Sequence, residues 1–111
     1  MATEADFIDY VREQADMPGT LTHKKMFGEY ALYVDGKVVA LACDNSLYLK
    51  PTEAARRLLG EVVEASPYPG AKPHFLIDEA LDDSELLRRL LTATAAGLPA
   101  PKPRTPKRSK R

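Results

Sequence analysis

Apolar and polar positions are most regularly organised between residues 26 and 50, and that stretch predicts a sheet. Three apolar runs are separated by two turn signals. Asp35-Gly36 stands between Val34 and Lys37, and Asp-Gly supplies the positive φ angles of a two-residue hairpin loop. Asp44-Asn45 separates Cys43 from Leu47, and both residue types tolerate left-handed backbone. The pattern predicts a three-strand antiparallel meander. In its first run Tyr30, Leu32 and Val34 share one face, with Ala31, Tyr33 and Asp35 on the other. Val38 to Cys43 is apolar on both faces, Val39, Leu41 and Cys43 one way and Val38, Ala40 and Ala42 the other. That suits a central strand covered by helices. Leu47 and Leu49 then alternate with Tyr48 and Lys50. Upstream, Thr20 to Met26 carries β-branched Thr20 and Thr22 and predicts a further strand, and Gly28 after Phe27 marks a turn or bulge.

The flanks change period. Thr3-Glu4-Ala5-Asp6 predicts a helix start, with Thr3 as cap and early acids at the positive end of the dipole. Ile8, Val11 and Ala15 fall on one helical face, and Met17-Pro18-Gly19 predicts the stop. After Pro51, Thr52 caps a short helix to Leu59, with Ala55, Leu58 and Leu59 as its stripe and Gly60 as a left-handed stop. Val62-Val63 either extends that helix or opens a strand. Pro67, Pro69 and Pro73 exclude a central strand before residue 73, so an edge strand is expected near Ala65 to Tyr68, then a Pro69-Gly70 turn and a strand at His74 to Ile77. The last helix is expected to start at an Asp82 cap, with Glu85 completing a capping box and Leu81 and Leu86 a hydrophobic staple. Leu86, Leu87, Leu90, Leu91 and Thr94 form its stripe, and Gly97 with Pro99 closes it. The elements add up to an α+β, two-layer domain over residues 1–97, an antiparallel sheet with helices in the order α-β(4)-α-β(2)-α.

Length and charge refine this. The 111 residues suit one domain with one core. A lone cysteine, no basic-apolar leader and no apolar run of membrane-spanning length point to a cytoplasmic setting. The net charge of zero hides a division. All 16 acids precede residue 97, whereas six of the 16 cations lie in the last ten residues: Lys102, Arg104, Lys107, Arg108, Lys110 and Arg111. The body is therefore net −6 and the tail +6. Residues 98–111, rich in Pro and almost without apolar side chains, are expected to be a disordered tail.

Met26-Phe27-Gly28, then Tyr30-Ala31-Leu32-Tyr33-Val34-Asp35-Gly36-Lys37, then Leu47-Tyr48-Leu49-Lys50, resembles the N-terminal domain of the TfoX/Sxy family. The Leu81-Asp82-Asp83 segment also fits. The resemblance spans about residues 3 to 97 and implies a two-layer arrangement like that of secretion chaperones. Glu29 and Ala31 depart from it, standing where glycines are frequent in the family. The family's best-known members regulate natural competence as transcriptional co-activators alongside a cyclic-AMP receptor protein, and carry a second, C-terminal domain. The resemblance here is to a stand-alone first domain. It implies a regulatory, non-enzymatic domain with a protein partner, such as a transcription factor, and it carries over no catalytic residues or cofactor.

The candidate chemistry is sparse. His23, Cys43 and His74 lack the paired spacings of a zinc site, and Cys43 reads as a small buried residue of a central strand. Turn formation and capping account for Asp35 and for Asp82 to Glu85, and Gly28 and Gly36 form no phosphate loop. Tyr30 and Tyr33 point to opposite faces, which argues against a stacking platform with Tyr48. Two surfaces remain. The six tail cations can neutralise phosphates of DNA or RNA without sequence preference. Lys24, Lys25, Phe27, Gly28 and Glu29 form a candidate partner or pocket surface. The alternatives are a small ligand-binding domain or enzyme with a pocket near Met26 to Tyr30, and a chaperone-like homodimer.

Overall fold

The computed structural model describes residues 4–26 and 29–98. The expectations for Thr3, for Phe27 and Gly28, and for the tail therefore lie outside the described residues. The elements run α1 (Ala5–Ala15), β1 (Leu21–Met26), β2 (Glu29–Val34), β3 (Lys37–Cys43), β4 (Ser46–Leu49), α2 (Glu53–Leu59), β5 (Glu64–Ala65), β6 (His74–Ile77) and α3 (Ser84–Gly97), with a 3-10 turn at Glu79–Asp82 before α3. One antiparallel sheet holds all six strands in the order β1-β2-β3-β4-β6-β5. This is the expected α+β architecture.

The hairpin turns follow from their residues. Asp35 and Gly36 sit at φ 55° and 77°, and Asp44 and Asn45 at 53° and 57°. Positive φ at both central positions gives the twist that joins adjacent strands through two residues. Asn45 does more: its Oδ1 accepts the Glu4 N–H at 2.9 Å, tying the start of α1 to the β3–β4 turn.

Cross-strand partners share a face, so the register sorts the sheet. Tyr30, Leu32 and Val34 lie with Ala40, Ala42, Leu47, Leu49, Phe75 and Ile77 on a buried face. Against it pack Ile8, Val11 and Ala15 of α1, Ala55 of α2, and Leu87, Leu90, Leu91 and Ala95 of α3. Each fully buried leucine contributes on the order of 2 kcal/mol. Ala40 and Ala42 leave room for α3, which contacts β3 and β2 directly. Two helices of the layer also approach closely, since a Cβ on Gly97 would meet the Thr52 Cβ at 3.4 Å. No helix among the described residues is long and apolar enough to cross a membrane.

Four expectations need correction. The α3 cap is Asp83, not Asp82: its side chain accepts the Leu86 N–H at 3.1 Å. Asp82 is held in the 3-10 turn, where it accepts a hydrogen bond from the Tyr10 hydroxyl, and the capping box with Glu85 does not form. In β3 the alternation breaks at a bulge: Tyr33 pairs with Val38 but Leu32 with Ala40, so Val39 is an extra residue and Val38 parts from Ala40 and Ala42. Helix α1 stops at Asp16, at φ 53° and ψ 55°, before Met17-Pro18-Gly19. The edge strand is Glu64–Ala65 rather than Ala65 to Tyr68, and Val63 leads into it, its carbonyl accepting the Leu76 N–H at 2.8 Å.

Other predictions stand. Thr52 Oγ1 accepts the Ala55 N–H at 3.2 Å, and Gly60 ends α2 at the expected position, but at φ 77° and ψ −81° rather than in the left-handed helical region. The C-terminal carbonyls of α3 find a partner across the fold. Lys37, just after the Asp35-Gly36 turn, donates from Nζ to the Ala95 carbonyl at 2.8 Å and the Leu98 carbonyl at 3.2 Å.

Candidate functional site

The second face of the sheet carries Met26, Glu29, Tyr33, Leu41, Tyr48 and Leu76, none of them fully buried. A cavity of about 450 Å³ opens there, where the end of β1 meets the start of β2 and the end of β3. Met26, Glu29, Tyr30, Leu41, Cys43 and Tyr68 line it. Met26 and Tyr68 stand well out into solvent, at 43% and 55% exposure. Exposed apolar groups rimming one depression are the kind of surface that marks binding rather than folding.

Tyr68 arrives from a loop far along the chain. The Ala71 N–H donates to the Tyr68 carbonyl at 3.1 Å, with Pro69 and Gly70 at the central positions and Gly70 at φ 89°. That is the residue pattern of a type II turn. Ser66 Oγ closes the loop on the Ala71 carbonyl at 3.0 Å. Glu29 is oriented from below, where its Oε1 accepts the Asp44 N–H at 3.2 Å. Cys43, 5% exposed, has its thiol pushed up by burial, then by the charges of Glu29 and Asp44. It is therefore a protonated, poorly nucleophilic wall residue.

Of the residues the sequence singles out, Met26, Glu29, Tyr30 and Cys43 line the cavity. Phe27 and Gly28, which connect Met26 to Glu29, and the six tail cations lie outside the described residues. Lys24 and Lys25 are both exposed on edge strand β1, opposite Ala31 and Tyr30 respectively, so they project to different faces and form no joint patch. Tyr30 belongs by register to the helix side yet also lines the cavity, while Tyr33 and Tyr48 belong to the open face. No three His, Cys, Asp or Glu side chains converge as metal ligands among the described residues. His74 Nδ1 hydrogen-bonds the Lys72 carbonyl at 2.9 Å, a structural role. Tyr68 was missed. The Pro69-Gly70 turn signal was visible beside it, but nothing local says which face the loop folds over.

A model of the TfoX N-terminal domain matches residues 13–97, most of the chain and all of the cavity lining. The chain belongs to the TfoX N-terminal domain family. It is also 46% identical over 107 residues to an uncharacterized 12.7 kDa protein in the trpE 5′ region of Spirochaeta aurantia. That alignment covers 96% of this chain and 93% of the relative. The aligned span thus exceeds the TfoX N-terminal segment itself. Within that segment lie the Asp35-Gly36 and Asp44-Asn45 turns, the Lys37 contact to α3 and the Asp83 cap.

Proposed function

We infer that the chain is a non-enzymatic regulatory domain of the TfoX type that acts by binding, with its basic tail adding sequence-independent contact to DNA or RNA. The observation that carries this is the family match over residues 13–97. The polar groups that sequence motifs would nominate for chemistry are also engaged in building the fold. Asp35 and Asp44 make turns, Thr52 and Asp83 cap helices, and Lys37 holds the end of α3. The six cations beyond residue 98 supply what an acidic body lacks for phosphate contact.

The partner that the family points to is a transcription factor of the cyclic-AMP receptor type. A gel-retardation assay of such a receptor on its DNA site tests this: a further retarded complex with the full chain is expected, and an unchanged band at micromolar protein sinks the co-regulator role. The tail is tested separately. Retention of DNA by the full chain across a salt series should follow a log–log slope of up to about −5 if all six cations engage. A full-length variant with those six replaced by Gln should lose the slope, and equal retention by both proteins would remove the tail from the mechanism.

A further inference from the structure

We propose that the cavity between Met26 and Tyr68 is a docking site for the chain's own basic, proline-rich C-terminal segment, its last five residues above all. The cavity offers an apolar depression with exposed Met and Tyr side chains at its rim and Glu29 in its wall. Glu29 puts a negative charge in the cavity wall, beside the Cys43 thiol. Its complement is a cation on an apolar stem. Lys and Arg side chains have that form, and a cation over a tyrosine ring gains further attraction.

The segment 99–111 supplies such groups in the right place. Helix α3 ends beside Lys37 and Thr52, at the opposite end of β3 from Cys43. At about 3.3 Å per residue, β3 separates the two points by roughly 20 Å, and passing from the helix layer to the open face adds about 10 Å. A Pro-rich chain extends by about 3.1 Å per residue, so thirteen residues reach about 40 Å and residue 107 falls near 30 Å. Lys107, Arg108, Lys110 and Arg111 are the cations within reach of the cavity. The segment has prolines at 99, 101, 103 and 106, and proline-rich sequences lose less ordering entropy on docking to an aromatic-rimmed groove. Tethering presents it at an effective concentration on the order of millimolar, so weak contacts suffice. Glu13 and Asp16 at the end of α1 also border a depression, with Met17, Pro18 and Leu21, but Arg12 stands in its wall and opposes a cationic segment.

This docking stands apart from nucleic-acid contact, although phosphate would compete for the same cations. The test uses the full chain with its methionine methyl groups labelled for NMR. Wild type is compared with a full-length variant carrying Lys107→Gln, Arg108→Gln, Lys110→Gln and Arg111→Gln. At about 20 mM salt the Met26 methyl resonance should differ between the two, and the difference should vanish near 0.5 M, where the Debye length is about 4 Å. Tyr68→Ala, at an exposed loop position, should abolish the Met26 response to tail neutralisation while the Met17 resonance keeps its place. Identical Met26 resonances in wild type and variant would overturn the proposal. So would a response at Met17 beside α1 without one at Met26. A Met26 difference that grows with protein concentration would also overturn it, by assigning the cavity to a second copy.

Discussion

Lys37→Met removes one ammonium and keeps most of the stem, so it measures what the β2–β3 turn contributes to the end of α3. In the structure Nζ lies 2.8 Å from the Ala95 carbonyl and 3.2 Å from the Leu98 carbonyl. Hydrogen bonds to charged groups contribute about 1.5–3 kcal/mol net. Lys37 is half-buried and water can take over the carbonyls of a helix end, which puts this pair at the lower limit or below it. A cation at a helix C-terminus adds about 0.3–1 kcal/mol. The combined expectation is a loss of about 1.5 kcal/mol. For a domain of this size that lowers Tm by roughly 6–10 °C. With a urea dependence of about 2 kcal/mol per M, the midpoint falls by about 0.8 M. Urea unfolding followed by circular dichroism reads this, with Lys37→Arg as the variant that retains a donor and most of the stability. A Lys37→Met midpoint within about 0.1 M of wild type would show that the two contacts contribute nothing net.

Three further outcomes follow from particular side chains. Thr94 is fully buried in α3 with no hydrogen-bond partner for its hydroxyl among the described residues, so Thr94→Val should raise stability by about 1 kcal/mol, and a lower urea midpoint would count against that. Asp83→Ala should cost about 1 kcal/mol through loss of the cap, clearly more than Asp82→Ala; the reverse order would restore Asp82 as the cap. The Cys43 thiol is raised in the folded state by burial, Glu29 and Asp44, so the fold retains its proton where the unfolded chain has lost it. Its stabilising contribution is complete below the unfolded thiol's pKa of about 8.5 and is lost as pH rises through the folded value. Alkylation by iodoacetamide should therefore be slow at neutral pH and faster in Glu29→Gln, where one opposing charge is gone.

What could be read from the chain alone was local. Asp35-Gly36 and Asp44-Asn45 name their turns because tolerance of positive φ is a property of the residues themselves, and α2 is bounded as locally, by the Thr52 side-chain acceptor and the positive φ of Gly60. The helical stripes and the alternation of β2 and β4 followed from period, since burial on one face demands it. Sequence alone does not separate Asp82 from Asp83 as the α3 cap, because they are the same residue type. Which one accepts the Leu86 N–H depends on the 3-10 turn, and Tyr10 of α1 engages the other. The bulge at Val39 was invisible because an apolar run on both faces hides a shift of register.

The cavity belongs wholly to the tertiary structure. Its walls come from β1, β2, β3 and a loop 25 residues beyond the end of β3, between β5 and β6 at the other side of the sheet, which meets them only in the folded chain. Element types, hairpins, family and the division of charge are legible along the chain, because each resides in neighbouring residues. Which face stayed open, and which distant side chains met on it, was decided by the packing of three helices on the other side. Burial energy selects that packing from the whole chain at once.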